Sequence, residues 1–336
     1  MTNLFKIMFI NSLMFGTLLT ISAYSWMSMW MGLEINLLSI IPLMNNPQNV
    51  YPSESAMKYF MTQMMASIIL LFSIILMMNK SEILNNNNFY LMMMFNSSLM
   101  TKMGAAPFHF WFPEIMEGLN WMNCFIMLTW QKLAPMIIIM YNNNMLIYLS
   151  YIIIISSLIG SMMGLNQSSM RKIMTYSSIN HIGWMLASII SNKMIWILYF
   201  IIYSLLTLNL ILIFNKYNIF YLNQLNNFFN KNKMMKFYFN MNFLSLGGLP
   251  PFLGFLPKWF TINTLIINNS FFITLIVIIL TLITLFFYLR IIFSNLTLFM
   301  TEQIYMNNNK MNYNILFINN ISLIMMILCP MIFNFM

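Results

Sequence analysis

The sequence predicts an all-α polytopic membrane protein, and three observations carry that reading. Hydrophobic residues make up 60% of the 336 residues, charged residues only 6%, and mean hydropathy is +0.77. A soluble domain carries about 25% charged residues. Apolar runs of about 20 residues, the length that crosses a bilayer, follow one another with short Asn-rich connections such as Asn85–Asn88 and Asn142–Asn144. Two of these runs are interrupted by glycine and proline beside a lysine. Lipid does not tolerate that combination, whereas a protein-lined interior does.

Taken in order, the expected helices cover residues 4–24, 26–44, 57–78, 89–112, 120–141, 145–165, 172–191, 194–215, 237–267, 271–294 and 314–334, about eleven in all. No soluble domain fits between them, so residues 1–336 read as a single transmembrane domain. The first span has the outline of a signal peptide, with Lys6 before an apolar core and Ser22 and Ala23 after it. Its single charge and the apolar run that follows at once favour a retained helix. The longest connection, 216–236, carries Leu222, Leu225 and Phe228 at helical spacing. It reads either as an amphipathic turn or two in the membrane interface or as a plain loop.

The formal charge of +9 comes without a dense basic run amid surface polarity, so nucleic acid is not an expected partner. Membrane lipid is. An odd number of spans puts the termini on opposite sides. The N-terminal side then carries Lys6, Lys58, Arg171, Lys172, Lys216, Lys231, Lys233, Lys236 and Lys310, with Arg290 near its edge; the other side has Lys80 and Lys193. By the positive-inside rule the N-terminus faces the cytoplasm or its organellar equivalent, the matrix. Cys124 and Cys329 are isolated in apolar stretches and indicate neither a disulfide framework nor a Cys-ligated metal. There is no aspartate, valine occurs only at Val50 and Val277, and Met, Ile, Phe and Asn abound. That bias fits an A/T-rich genome in which one Ile-like codon is read as Met, as in animal mitochondria.

The first interrupted run is SLMTKMGAAPFHFWFPE, Ser98 to Glu114. A lysine at membrane depth costs about 2.5–3.5 kcal/mol at a helix centre, so Lys102 is expected to face protein and water. The second is SLGGLPPFLGFLPKW, Ser245 to Trp259, with Lys258 beside it. Both contain G-x-x-P-F, at Gly104–Phe108 and Gly248–Phe252. They are the fourth and the ninth spans, with four helices between them, so the two cross in opposite directions. That is the pattern of an inverted repeat with discontinuous helices, one repeat holding the broken helix 89–118 and the other 237–267. The alternative is two proline kinks that serve packing, since Gly and Pro are common in membrane helices.

Four charges lie well inside expected spans: Glu34, Lys102, Lys132 and Lys258, with Asn36, Thr101, Gln131 and Asn263 as candidate partners. Burial favours the neutral form of a lysine, and a nearby carboxylate favours the charged one. A glutamate facing several lysines is therefore a switchable arrangement, and intramembrane ionisable groups are functional candidates. Each has a blander reading: a snorkelling position for Lys258, and a structural ion pair for Glu34 and Lys102. His109 and His181 are the only histidines. His109 reads as a satisfied polar group between helices. His181, in YSSINHIGWM with Ser177, Ser178 and Asn180, reads as part of a hydrated path and a proton relay. Haem ligation by the pair is the alternative, with nothing else marking a haem pocket. The sequence has no dinucleotide loop, P-loop or iron–sulfur cysteine spacing.

The motifs TWQKLAP, KMGAAPFHFWFPE, SSINHIGWM and FLSLGGLPPFLGFLPKW closely resemble the insect-type mitochondrial NADH dehydrogenase subunit 2 family, antiporter-like membrane subunits of respiratory complex I. The resemblance runs over nearly the whole chain. It implies an antiporter-like fold and a multi-pass protein of the mitochondrial inner membrane. It implies proton translocation as part of the NADH:ubiquinone oxidoreductase. No cofactor is then expected in this chain; NAD, FMN, iron–sulfur clusters and ubiquinone belong to partner subunits. The expected partners are other complex I membrane subunits, neighbouring antiporter-like ones included. By motif, Glu34 corresponds to the glutamate that pairs with the lysine of the first broken helix, Lys102. Lys132 corresponds to the central lysine of the hydrophilic axis, Lys258 to the lysine at the second broken helix, and His181 to the relay histidine. A stand-alone cation/proton antiporter of the related fold is the alternative function, and a purely bracing subunit a third.

Overall fold

Apolar runs separated by Asn-rich turns fold here as helices. The computed structural model describes residues 2–45, 50–78, 88–142, 145–229, 233–250, 252–297 and 319–320. The helices are α1 (Thr2–Ser22), α2 (Trp26–Met44), α3 (Val50–Met78), α4 (Asn88–Met103), α5 (Trp111–Gly118), α6 (Trp121–Leu128) and α7 (Trp130–Tyr141). They continue as α8 (Leu146–Gly164), α9 (Met170–Ser191), α10 (Lys193–Tyr217), α11 (Leu222–Phe229), α12 (Lys233–Gly247), α13 (Phe255–Ile267) and α14 (Phe271–Thr297). The expected helix 314–334 apart from residues 319 and 320, and Lys80, Lys231, Lys310 and Cys329, lie outside the described residues.

Among the described residues, 7 helices are long and apolar enough to cross a membrane. The other four expected spans fall outside that set for separate reasons. Two are broken into pieces that are individually short, α4/α5 and α12/α13. The third, α9, is long but too polar. The fourth is the stretch 314–334. The count of eleven therefore stays an expectation.

Three boundaries differ from the sequence reading. α3 starts at Val50, seven residues early, because its first two turns are polar rather than apolar. Hydropathy measures the buried length of a helix, not its hydrogen-bonded length. Pro52 is tolerated there because a first-turn N–H has no intrahelical partner to lose. The expected helix 120–141 is interrupted at Thr129. Pro135 lacks the N–H that would bond the Gln131 carbonyl and crowds that carbonyl, which disturbs the turn before it. In the connection 216–236 the helical alternative prevails as α11, whose Leu225 is buried. Its start is fixed by the Gln224 side chain, which accepts from the N–H of Phe220 and of Tyr221.

The chain divides into two compact units, Met1–Ser156 and Ser157–Met336, with the boundary inside α8. In the first, α1 lies on α2, α3 packs on α2, α4 and α5, and α7 contacts α1, α2, α4 and α6. In the second, α9 is surrounded by α10, α13 and α14, and α12 packs on α10 and α14. Every residue of α9 from Ile173 to Ile189 is buried. A helix buried on all sides normally reads as apolar all round, but this one carries Thr175, Ser177, Ser178, Asn180, His181 and Ser188. Its serines solve the problem locally by donating to carbonyls one turn back: Ser177 to Met174, Ser178 to Thr175 and Ser188 to Met185.

Candidate functional site

Both interrupted runs are true helix breaks, and they share one backbone device. Gly104 has φ +71° and Gly248 has φ +77°, the left-handed region in which an L-residue is strained. Gly104 N donates to the Thr101 carbonyl and Ala105 N to that of Met100. Gly248 N donates to the Ser245 carbonyl and Leu249 N to that of Leu244. Each pair is a Schellman cap with glycine at its left-handed position. The match continues past the cap. Phe108 N bonds the Ala105 carbonyl and Phe252 N bonds that of Leu249, both at 2.9 Å. The second half-helix starts seven residues after the glycine in each case, at Trp111 and at Phe255. A proline follows at its third position, Pro113 or Pro257.

The lysines sit on opposite sides of their breaks. Lys102 precedes Gly104, in the last turn of α4, where a cation offsets the negative helix end. Its Nζ lies 3.6 Å from Glu34 Oε1, with the two side chains 5% and 17% exposed. That is an ion pair but too long for a hydrogen bond. Trp111 Nε1 donates to the Thr101 carbonyl at 3.1 Å, tying α5 back to the end of α4. Lys132, on α7, is 1% exposed, and its Nζ stands 5.6 Å from the centre of the Phe112 ring just past the break. His109 is buried within the break, with Nδ1 3.2 Å from the Pro107 carbonyl. Its reading as a satisfied polar group fits that contact.

Alongside Lys102 is a cavity of about 10 Å³, lined by Asn36, Tyr59, Gln63, Gln131 and Pro135. Asn36 and Gln131, candidate partners of the buried charges, line it together with Lys102. Tyr59 and Gln63 are additions that the sequence reading lacks. Their signal was nonetheless present, since Ser55, Tyr59, Gln63 and Ser67 recur every fourth residue and form a buried polar stripe on α3.

In the second unit Lys258 follows its break and reaches back to it. Nζ donates to the carbonyls of Gly247, at 2.9 Å, and Leu246, at 3.2 Å. A Schellman cap leaves those two terminal carbonyls unused. With the ammonium in place, all four carbonyls from Leu244 to Gly247 are satisfied. Lys258 is 6% exposed and turns inward, so its ammonium does not snorkel outward, and its Nζ lies 5.9 Å from the Trp184 ring. The lysine stem runs directly over Gly248, where a Cβ would stand 2.7 Å from Lys258 Cδ. His181 is buried on α9, and its Nδ1 lies 2.8 Å from the Tyr199 hydroxyl. Tyr199 escaped the sequence reading because tyrosines are frequent here and no spacing links α10 to α9. A cavity lined by His181, Tyr199, Tyr203 and Ser245 adjoins them.

Residues 23–284 match the family described as NADH:quinone oxidoreductase/Mrp antiporter, transmembrane. The chain is 51% identical to the NADH-ubiquinone oxidoreductase chain 2 of Anopheles gambiae, over 98% of this chain and 97% of that one. It is 55% identical to the protein of the same name from Aedes aegypti, over 91% of each. Its fold is similar to a chain in the structure of respiratory complex I from Thermus thermophilus with bound aureothin. The TM-score is 0.86 at 20% identity, covering 97% of this chain and 78% of that one.

Proposed function

We infer the role of this chain from one premise: it belongs to the NADH:quinone oxidoreductase/Mrp antiporter transmembrane family and, within it, to the NADH-ubiquinone oxidoreductase chain 2 proteins. It is a proton-translocating core membrane subunit of the NADH:ubiquinone oxidoreductase, respiratory complex I. Electron transfer takes place in partner subunits, which hold NAD, FMN, iron–sulfur clusters and ubiquinone. This chain supplies the membrane part of the coupling and binds none of those groups. It sits in the mitochondrial inner membrane with its N-terminus in the matrix, beside other antiporter-like subunits.

The observation that carries the mechanism is the Glu34–Lys102 pair, buried beside a helix break. Bringing a carboxylate and an ammonium out of water yields little net stability, so the pair is better read as a charge switch than as a brace. Protons pass by way of Glu34, Lys102 and Lys132, and go on to Lys258 and His181 or to a neighbouring subunit. Each charge sets how readily the next one holds its proton. The matching glycine caps at the two breaks support a two-repeat organisation, with one broken helix in each repeat.

The test is Lys102→Met or Lys132→Met in the assembled complex. Both are expected to depress NADH-driven quinone reduction and its coupled proton translocation. Normal turnover with normal proton stoichiometry in both variants would overturn the relay. A stand-alone antiporter is not favoured, because the close relatives carry the oxidoreductase name. Purified chain in liposomes is accordingly expected to exchange no cations on its own.

A further inference from the structure

We propose that Asn36, Gln63 and Gln131 hold one water molecule against Lys102, and that the three amides are positioning residues for proton transfer at that lysine. The proposal rests on the relay reading above and adds residues to it.

Three buried amide atoms have no hydrogen-bond partner among the described residues: Asn36 Oδ1, Gln63 Nε2 and Gln131 Nε2. They come from three different helices, α2, α3 and α7, and all three residues line the cavity beside Lys102. At about 10 Å³ it has the space one water needs. The donor and acceptor count also fits. With Lys102 charged, a water accepts from its ammonium and from one glutamine amide and donates to the asparagine oxygen. With Lys102 neutral, it accepts from both amides and donates to the lysine amine as well. It thus keeps three or four contacts, within the two to four that a buried water makes.

Neighbouring groups bear on the orientation of two of the three amides. The Tyr59 hydroxyl donates to Gln131 Oε1 at 3.3 Å, which leaves Nε2 as the free end. Asn36 Oδ1 rests against α1, and only glycine leaves it that room, since a Cβ on Gly16 would stand 2.6 Å from it. Lys102 lies too far from Glu34 for a hydrogen bond, at 3.6 Å, so its ammonium keeps donor capacity for a water. A proton that arrives at or leaves Lys102 crosses this molecule. On departure a lysine N–H bond breaks as an O–H bond forms on the water, and the water's free O–H gives up a proton onward. Arrival is the reverse, and the water itself is unchanged.

The experiment compares Gln63→Leu, Gln131→Leu and Lys102→Met in the assembled complex in membrane vesicles, with Gln63→Asn as the conservative control. Protons moved per NADH oxidised, the rate and its solvent-deuterium isotope effect are read together with native-gel assembly. Both leucine variants are expected to assemble and to pump slower by roughly fivefold, the factor carried by one lost hydrogen bond. The isotope effect is expected to change and Gln63→Asn to recover most of the rate. Normal pumping in both leucine variants, with Lys102→Met impaired, would overturn this proposal and leave the relay standing. Normal pumping in Lys102→Met would overturn the relay instead. If the leucine variants fail to assemble, a map of the unmodified complex that shows ordered water decides. Density within hydrogen-bond reach of the three amides supports the site, and amides paired with one another would overturn it.

Discussion

Replacing Gly248 with alanine separates backbone strain from loss of the lysine contact, with Gly104→Ala as its control. Both glycines have nearly the same φ, +77° and +71°, so each alanine carries the same left-handed strain, about 1–2 kcal/mol. At Gly104 the new methyl meets Trp111 Cζ2 at 3.2 Å and Phe112 at 3.3 Å, which yield with small shifts. At Gly248 it meets Lys258 Cδ at 2.7 Å and Nζ at 2.9 Å. Ordinary carbon contact is about 3.5–4.0 Å, so the lysine stem must retreat by roughly 1 Å. The bonds to Gly247 and Leu246, now 2.9 and 3.2 Å, would then exceed hydrogen-bond reach. Each charge-assisted bond is worth about 1.5–3 kcal/mol. Gly248→Ala is therefore expected to cost about 3–6 kcal/mol more than Gly104→Ala at the break itself. The assay is proton pumping per NADH oxidised in the assembled complex, with a map of the Gly248→Ala form. A map in which Lys258 keeps both carbonyls, or equal pumping losses in the two variants, would refute the reasoning.

Three further outcomes follow from the geometry. Glu34→Gln keeps the side-chain shape but removes a charge 3.6 Å from Lys102, an attraction of about 4–5 kcal/mol at an effective dielectric of 20; assembly should survive while pumping drops at least tenfold, and an unaltered NADH-driven proton signal would contradict it. Tyr199→Phe removes the hydroxyl 2.8 Å from His181 Nδ1, an effect of about 1 kcal/mol or roughly fivefold. The pH–rate profile of pumping should change shape, and an unchanged profile would disconnect His181 from the path. In Gly160→Ala a Cβ would stand 2.7 Å from Asn180 N and 2.8 Å from the Tyr176 carbonyl. Both are backbone atoms, so the helices must part at about 1–3 kcal/mol. Native gels should show less intact complex, and wild-type amounts would count against that packing.

Much of the membrane architecture was legible because lipid enforces it. A bilayer demands long apolar runs, so hydropathy located α1, α2, α8, α10 and α14 closely. It also makes a Gly/Pro pair beside a lysine conspicuous, which exposed both breaks and the residues Lys102 and Lys258. What hydropathy could not carry was polarity that the protein itself covers. The early start of α3 and the interruption at Thr129 leave the apolar run unchanged, so hydropathy does not mark them, although Pro135 stands in the sequence as the cause of the second. The partners Tyr59, Gln63 and Tyr199 depend on which helices touch. Sequence order already puts Lys102 before its break and Lys258 after the other. What only the structure reveals is that Lys258 reaches back and ties its break shut.

The wholly enclosed α9 has a consequence for how the chain is made. A segment so rich in hydroxyl, amide and imidazole groups partitions poorly into hydrocarbon by itself. Its own serines quiet some of those groups, but Asn180 and His181 look to Thr284 on α14 and to Tyr199 on α10. Thr284 is synthesised about a hundred residues after Asn180. Until those later segments emerge, the insertion machinery has to shelter α9, so the order of synthesis makes it the last segment of its neighbourhood to become comfortable in the bilayer.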